Sequence, residues 1–212
     1  MTRIAAFVGS NAIVVVSDGK AVDYAMRTID IRARKIFRLS PQCLVLASGQ
    51  TTNHLASEFE AISTRYSSEH HWGVEYIAND LMNLCNTSAT DWLGAGNQTF
   101  IIAGYTHISS TFEPKLFALL KQSEGWVLQT SVDNLLFMIA GTEALKTHTQ
   151  LVHELATIPT DTANLNTYAL KVLKESAAIA PATIGGVPSL WNIYPSLRLD
   201  TKRFTANDIL AL

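Results

Sequence analysis

Two short apolar runs at the start of the chain, Ile4 to Val8 and Ala12 to Val16, constrain the fold most. They are separated by Gly9-Ser10-Asn11, a turn sequence, and the second run ends at Ser17-Asp18-Gly19-Lys20. Ile13-Val14-Val15-Val16 does not alternate with polar residues, so a strand built from it must be covered on both faces. If the runs pair as a hairpin, Asp18 returns beside the start of the chain. Lys35-Ile36-Phe37 and Leu44 to Ser48 read as a second hairpin that ends at Gly49. Together these turns bring Thr2, Asp18, Lys35 and Gly49 towards one region.

Further along, apolar residues at helical spacing (Leu55, Phe59, Ile62, Tyr66) predict a helix capped by Thr51 or Thr52. A second helix is predicted over Val74–Ala89, followed by a Gly94-Ala95-Gly96-Asn97 loop. Strands return at Thr99–Tyr105, Lys115–Leu120, Trp126–Gln129 and Phe137–Ala140. Helices are expected at Glu143–Leu155 and Leu165–Ala178, closed by Pro181. A last strand pair is expected at Ser189–Tyr194 and Ser196–Leu199, and Thr201–Leu212 carries no assignment. Strands and helices in blocks, rather than in strict alternation, predict one α+β domain over residues 1–212. The expected architecture is two stacked antiparallel sheets with helices on both outer faces.

Composition narrows the function. Hydrophobic residues make up 48% of the 212, charged residues only 16%, and the net charge is −2. A lightly charged surface agrees with self-assembly into a homo-oligomer. Tyr76, Trp92 and Trp126 are the aromatic residues expected at such contacts. The basic residues Arg32, Arg34, Lys35 and Arg38 are spaced for strand edges rather than for a phosphate stripe, which argues against nucleic-acid binding. No run reaches the roughly 20 apolar residues of a membrane span, and the first run lacks the basic leader of a signal peptide. The expectation is a cytoplasmic protein with Cys43 and Cys85 as buried thiols in a reducing compartment.

The histidines do not form a metal set: His148 and His153 are five apart, off the i, i+4 spacing, and His70-His71 has no clustered partner. No cofactor is implied. Gly94-Ala95-Gly96 does not open a helix and is a poor phosphate loop, and Ser48-Gly49-Gln50 lacks the flanks of a nucleophile elbow.

Thr2 is the chemically distinctive residue. Methionine aminopeptidases tolerate Thr at the second position, and removal of Met1 leaves a hydroxyl and an α-amine on one residue. Such an amine titrates near ~8 and can act as the hydroxyl's own base. A Thr at position 2 is by itself ordinary, but Asp18 lies sixteen positions later (18 − 2) at a strand end, and Lys35 opens another strand. A backbone N–H at Gly49 suits an oxyanion, because glycine allows close approach to the main chain.

With these residues the sequence resembles a proteasome-type peptidase of the N-terminal-nucleophile hydrolase superfamily. Thr2, SDGK at Ser17–Lys20, RKIFRL at Arg34–Leu39 and SGQ at Ser48–Gln50 carry the likeness. So do FIIAGY at Phe100–Tyr105, KLFALL at Lys115–Leu120, FMIAGTEAL at Phe137–Leu145 and IGGVPSLWNI at Ile184–Ile193. The resemblance implies a four-layer αββα sandwich, a ring- or arc-like homo-oligomer, and a peptide or amide substrate. It implies Thr2 as nucleophile with its amine as base, Asp18 and Lys35 as tuning residues, and Gly49 as oxyanion donor. Ala21, Ala33 and residues near Gly49 are the expected contributors to specificity; no ATP-driven unfoldase partner is legible.

The departures matter. Ala140 stands where the family places a serine that bonds the amine. Pro181 and Ile184 stand where it places an Asp and a Ser before the late Gly-Gly, and Thr142 and Thr183 are the available substitutes. Lys20 replaces the usual Arg. Lys35 requires one inserted residue after Asp18, since Arg34 occupies the ungapped position, and an arginine there is a fixed cation that does not release its proton. The alternative is therefore a catalytically silent, assembly-forming structural homologue.

Overall fold

A computed structural model of the chain describes residues 2–23, 25–49, 55–66, 73–87, 98–130, 137–141, 144–196 and 198–208, with backbone alone at 144–149 and 206. The predicted caps Thr51 and Thr52, the Gly94–Asn97 loop, Trp72, Trp92, His70-His71 and Thr142 lie outside the described residues.

The chain is mixed α+β, and its described strand pairings are antiparallel. The opening runs form the hairpin β1 (Ile4–Val8) and β2 (Ile13–Ser17), with Ile4 opposite Ser17. β1 pairs on its other side with β10 (Phe137–Ala140), which places Ala140 opposite Ile4. β2 pairs with β11 (Ser189–Ile193), placing Ser189 opposite Ser17, and β11 pairs with β12 (Leu199–Lys202). One five-stranded sheet results, in the order β10-β1-β2-β11-β12. Ser189, Ser17, Ile4 and Ala140 form a row across one end of it.

A short ribbon, β3 (Ala21–Val22) with β4 (Thr28–Asp30), follows β2. The second five-stranded sheet runs in sequence order: β5 (Ile36–Ser40), β6 (Cys43–Gly49), β7 (Gln98–Ile108), β8 (Thr111–Gln122) and β9 (Gly125–Thr130). Helices α1 (Leu55–Ser63) and α2 (Val74–Thr87) lie between β6 and β7 in the chain. Helices α3 (Ala144–Leu155) and α4 (Thr162–Ile179) lie between β10 and β11.

Side-chain alternation sorts the core into three apolar clusters. Ile4, Ala6, Ile13 and Val15 from one sheet meet Ile36, Leu44, Leu46 and Ile101 from the other. The opposite faces of the same two strands, Ala5, Phe7, Val14 and Val16, meet Leu151 of α3 and Leu165, Ala169, Val172 and Leu173 of α4. This is why β2 is buried along its whole length and why its sequence does not alternate. On the outer face of the second sheet, Phe37, Val45, Phe100 and Leu119 pack against Phe59 and Ile62 of α1 and Ile77 and Leu81 of α2. Phe59 stands 4.9 Å from Phe37 and edge-on to Phe100 at 5.6 Å (ring centroids). Side chains of this size each contribute about 1.5–3 kcal/mol when fully buried.

Several expectations are corrected. Trp126 is buried, not an interface anchor: its ring stacks on Phe100 at 5.2 Å and its backbone N–H donates to Asn86 Oδ1 at 2.8 Å. Tyr76 remains half exposed. The last strand is Leu199–Lys202, not Ser196–Leu199, because residues 195–196 are in a turn and Tyr194 N donates to Arg198 O (2.9 Å). β8 starts four residues earlier than Lys115 and includes Pro114 opposite Tyr105. Among the described residues the β8–β9 pairing runs from Gln122 opposite Gly125 to Phe117 opposite Thr130, and Pro114 is not among the paired positions.

Cys43 and Cys85 are free and buried, and burial raises both thiol pKa values, that of Cys85 to about 12. Among the described residues, no helix is long and apolar enough to cross a membrane, and no group of three or more His, Cys, Asp or Glu side chains is arranged to hold a metal ion.

Candidate active site

The end of the first sheet marked by the row from Ser189 to Ala140 is where the polar core lies. One residue beyond that row lie Arg3 before β1, Asp18 after β2 and Gly141 after β10, and Thr2 precedes Arg3. The hairpin register dictates the first contact: Asp18 N donates to Arg3 O at 3.1 Å, and Arg3 N donates to Asp18 Oδ1 at 2.7 Å. Asp18 is fully buried. Its other oxygen, Oδ2, accepts from Lys35 Nζ at 3.0 Å, from Lys20 N at 3.2 Å and, more distantly, from Gly185 N at 3.4 Å. A carboxylate so placed has its desolvation offset by charge-assisted bonds.

Lys35 is also buried, and its ammonium makes a second bond, to Lys20 O at 2.6 Å. Burial pulls the Lys35 pKa below the ordinary lysine value, and the Asp18 carboxylate works against that pull. Arg34, the ungapped candidate, points elsewhere: it is exposed, pairs with Glu60 at 2.9 Å and covers the Phe37 ring at 5.0 Å. The side chain that reaches Asp18 is therefore Lys35.

Thr2 is buried, next to this pair through the Arg3 amide. Ser48 Oγ donates to Thr2 O at 3.2 Å, which ties the start of the chain to the end of β6. Gly49 follows immediately, opposite Gln98, at φ +106°, a backbone state that favours glycine. Thus the structure gathers Thr2, Asp18 and Lys35, and holds Gly49 one residue from a side chain bonded to Thr2.

Of the departing positions, Ala140 is buried beside Ile4, and Ile184 is fully buried in the apolar cluster under α4. Neither offers a polar side chain to Thr2. Thr183 Oγ1 points back to Ala180 O at 3.4 Å. Pro181, in contrast, does take part: its carbonyl accepts from Lys20 Nζ at 2.8 Å, just past the C-terminus of α4, where a cation is favoured.

Two participating residues were not singled out by sequence reasoning as site residues, Ser48 and the side chain of Lys20. Both act on backbone carbonyls. Lys20 closes a ring of contacts, since its carbonyl holds Lys35, its ammonium holds Pro181, and its own N–H reaches Asp18. Gly19 N donates to Gly185 O at 3.0 Å, which joins the same two segments.

Gly141 packs against Thr2. A Cβ built there would lie 1.8 Å from Thr2 O, and its φ is +120°. Gly141→Ala is therefore expected to destabilise the protein by about 3 kcal/mol or more, from strain plus displacement of the Thr2 segment. Urea unfolding measures this directly; a midpoint equal to that of the unaltered protein would contradict the packing described.

The chain matches no protein-family model and no curated protein, so what it does is read from these residues.

Proposed function

We propose that the chain is a threonine-type amide or peptide hydrolase that acts through Thr2 once Met1 is removed. The observation that carries this reading is the buried Asp18–Lys35 pair bonded to the amide of Arg3, the residue next to Thr2. The packing of two antiparallel sheets with helices outside them supports reading the fold as a four-layer αββα sandwich of the N-terminal-nucleophile type.

In this mechanism the freed α-amine of Thr2 takes the proton from Thr2 Oγ, and Oγ attacks the substrate carbonyl carbon. The oxygen of the tetrahedral intermediate gains negative charge and is met by the Gly49 N–H. The C–N bond then breaks, the amine proton passes to the leaving nitrogen, and an ester to Thr2 remains. Water, deprotonated by the same amine, adds to that ester and releases the acid with return of the proton to Oγ. The Lys35 ammonium favours the neutral, basic form of a nearby amine by charge repulsion, and Asp18 fixes where that ammonium sits.

A second reading has its own observation. Ala140 and Ile184 present only apolar side chains, which suits an assembly-forming homologue without turnover. Intact mass of the protein expressed from its own start codon, followed by reaction with an amide-mimicking electrophile such as a β-lactone, separates the two. The hydrolase reading expects loss of one Met and a covalent adduct on Thr2. Retained Met1 without an adduct would sink it and leave the assembly reading.

A further inference from the structure

An open groove of about 300 Å³, which none of Thr2, Asp18 and Lys35 lines, lies beside the edge strand β12. Its volume is at the lower end of the range for small-molecule sites. Arg32, Lys202 and Arg203 line it together with Val187, Pro188 and Phe204. The groove thus joins three cations to an apolar wall.

The wall is firmly built. Val187 and Pro188 are buried, Val187 N donates to Ile31 O at 2.7 Å, and Phe204 packs on the cluster under α4. Arg32 is held at its backbone, where its N–H donates to Asp30 Oδ1 at 2.8 Å. Among the described residues none of the three cationic side chains is paired with a carboxylate within 4 Å. The nearby acids, Asp30 at the Arg32 amide, Asp200 and Asp208, make their hydrogen bonds to other groups, although Asp208 also feels the charge of Lys202. Asp200 is bonded to Arg198, and Asp208 accepts from Thr205 N and Oγ1 at 2.8 and 2.9 Å. The Lys202 ammonium instead lies 5.3 Å from the Phe204 ring centroid. The groove therefore offers three cationic heads with no carboxylate in direct contact, two of them guanidinium forks suited to a planar or tetrahedral oxyanion, and a hydroxyl at Ser189.

We infer that this groove binds a small organic anion, a phosphate or carboxylate carried on an apolar body. The oxyanion meets Arg32 and Arg203, with Lys202 adding charge, and the apolar body rests on Val187, Pro188 and Phe204. The inference does not depend on Thr2 chemistry, because no groove residue belongs to that site.

Amide-resolved NMR titration of the full chain tests it, with phenyl phosphate, benzoate, inorganic phosphate and benzyl alcohol as probes. Saturable shifts are expected at residues 187, 189 and 202–204 with phenyl phosphate or benzoate. The tighter of the two identifies the oxyanion, and either result supports the site. Inorganic phosphate and benzyl alcohol are each expected to bind at least about tenfold more weakly, since each offers half of the interaction. The double variant Arg32→Ser with Arg203→Ser, altered only at exposed positions, is expected to keep its dispersed spectrum and lose at least about tenfold in affinity. Shifts that do not saturate, equal binding of benzyl alcohol, or unchanged affinity in the variant would each overturn the assignment.

Discussion

Thr2→Ala is expected to abolish amide hydrolysis while leaving the fold in place. The hydroxyl is the bond-forming group in the proposed mechanism, and loss of a nucleophile of this kind lowers turnover by at least ~10⁴-fold. Among the described residues, the hydrogen bond of residue 2 runs through its backbone. Ser48 bonds the Thr2 carbonyl, and the neighbouring Arg3 amide bonds Asp18, so both survive the change. The expected stability change is therefore within about 1 kcal/mol. Alanine at the second position also permits removal of Met1, so the variant retains a free amine and isolates the hydroxyl. Thr2→Ser, which keeps the hydroxyl, is expected to retain measurable turnover. The measurement is hydrolysis of a panel of fluorogenic peptide amides by matched preparations. Wild type and Thr2→Ala at one common background rate would end the hydrolase reading and favour the assembly reading, which Ala140 and Ile184 already support.

Much of this arrangement was legible in the sequence because it follows from strand periodicity. The unbroken apolar run of β2 required cover on both faces, and the structure supplies the second sheet on one and α4 on the other. Once β1 and β2 pair with Ile4 opposite Ser17, Asp18 must return to Arg3. Side-chain chemistry favoured Lys35 in the sequence while ungapped spacing favoured Arg34, since both are cations at a strand start. The ladder separates them: Lys35 O accepts from Ala47 N, and its side chain turns inward while Arg34 covers Phe37 from outside. Ser48 and Lys20 were harder to find, because their partners are the carbonyls of Thr2 and Pro181, and a carbonyl carries no residue-type signature. The β3–β4 ribbon is only two and three residues a side, too short for periodicity to register. β12 was misplaced because Leu-Asp-Thr-Lys, an edge strand with a largely exposed end, is more polar than the segment before it.

Asp18→Asn is expected to be the most destabilising of the conservative changes at the site. An amide has the shape of the carboxylate but only one acceptor oxygen. Asp18 uses both oxygens, one for Arg3 N and the other chiefly for Lys35 Nζ and Lys20 N. Either orientation of the new side chain therefore turns its NH₂ towards a donor. The Lys35 ammonium would also remain buried without its counter-charge, and breaking a buried pair in this way costs about 3–5 kcal/mol. The deficit should depend on pH with a definite sign. Burial already holds the Lys35 pKa below 10.5 in the folded protein, and Asp18 is the main opposing influence. Without the carboxylate the folded pKa drops further. Between that value and 10.5 the unfolded chain binds a proton that the folded chain does not, so stability rises with pH across the interval. The interval is wider in Asp18→Asn than in the unaltered protein, so the deficit is expected to be largest near pH ~7 and to shrink towards pH ~9.5. Urea unfolding at both values measures it. A variant as stable as wild type near neutrality, or a deficit that does not change with pH, would contradict the pairing of Asp18 with a charged, buried Lys35. A large deficit that shrinks on raising the pH would tie the stability of this end of the sheet to the same ion pair that the hydrolase mechanism requires.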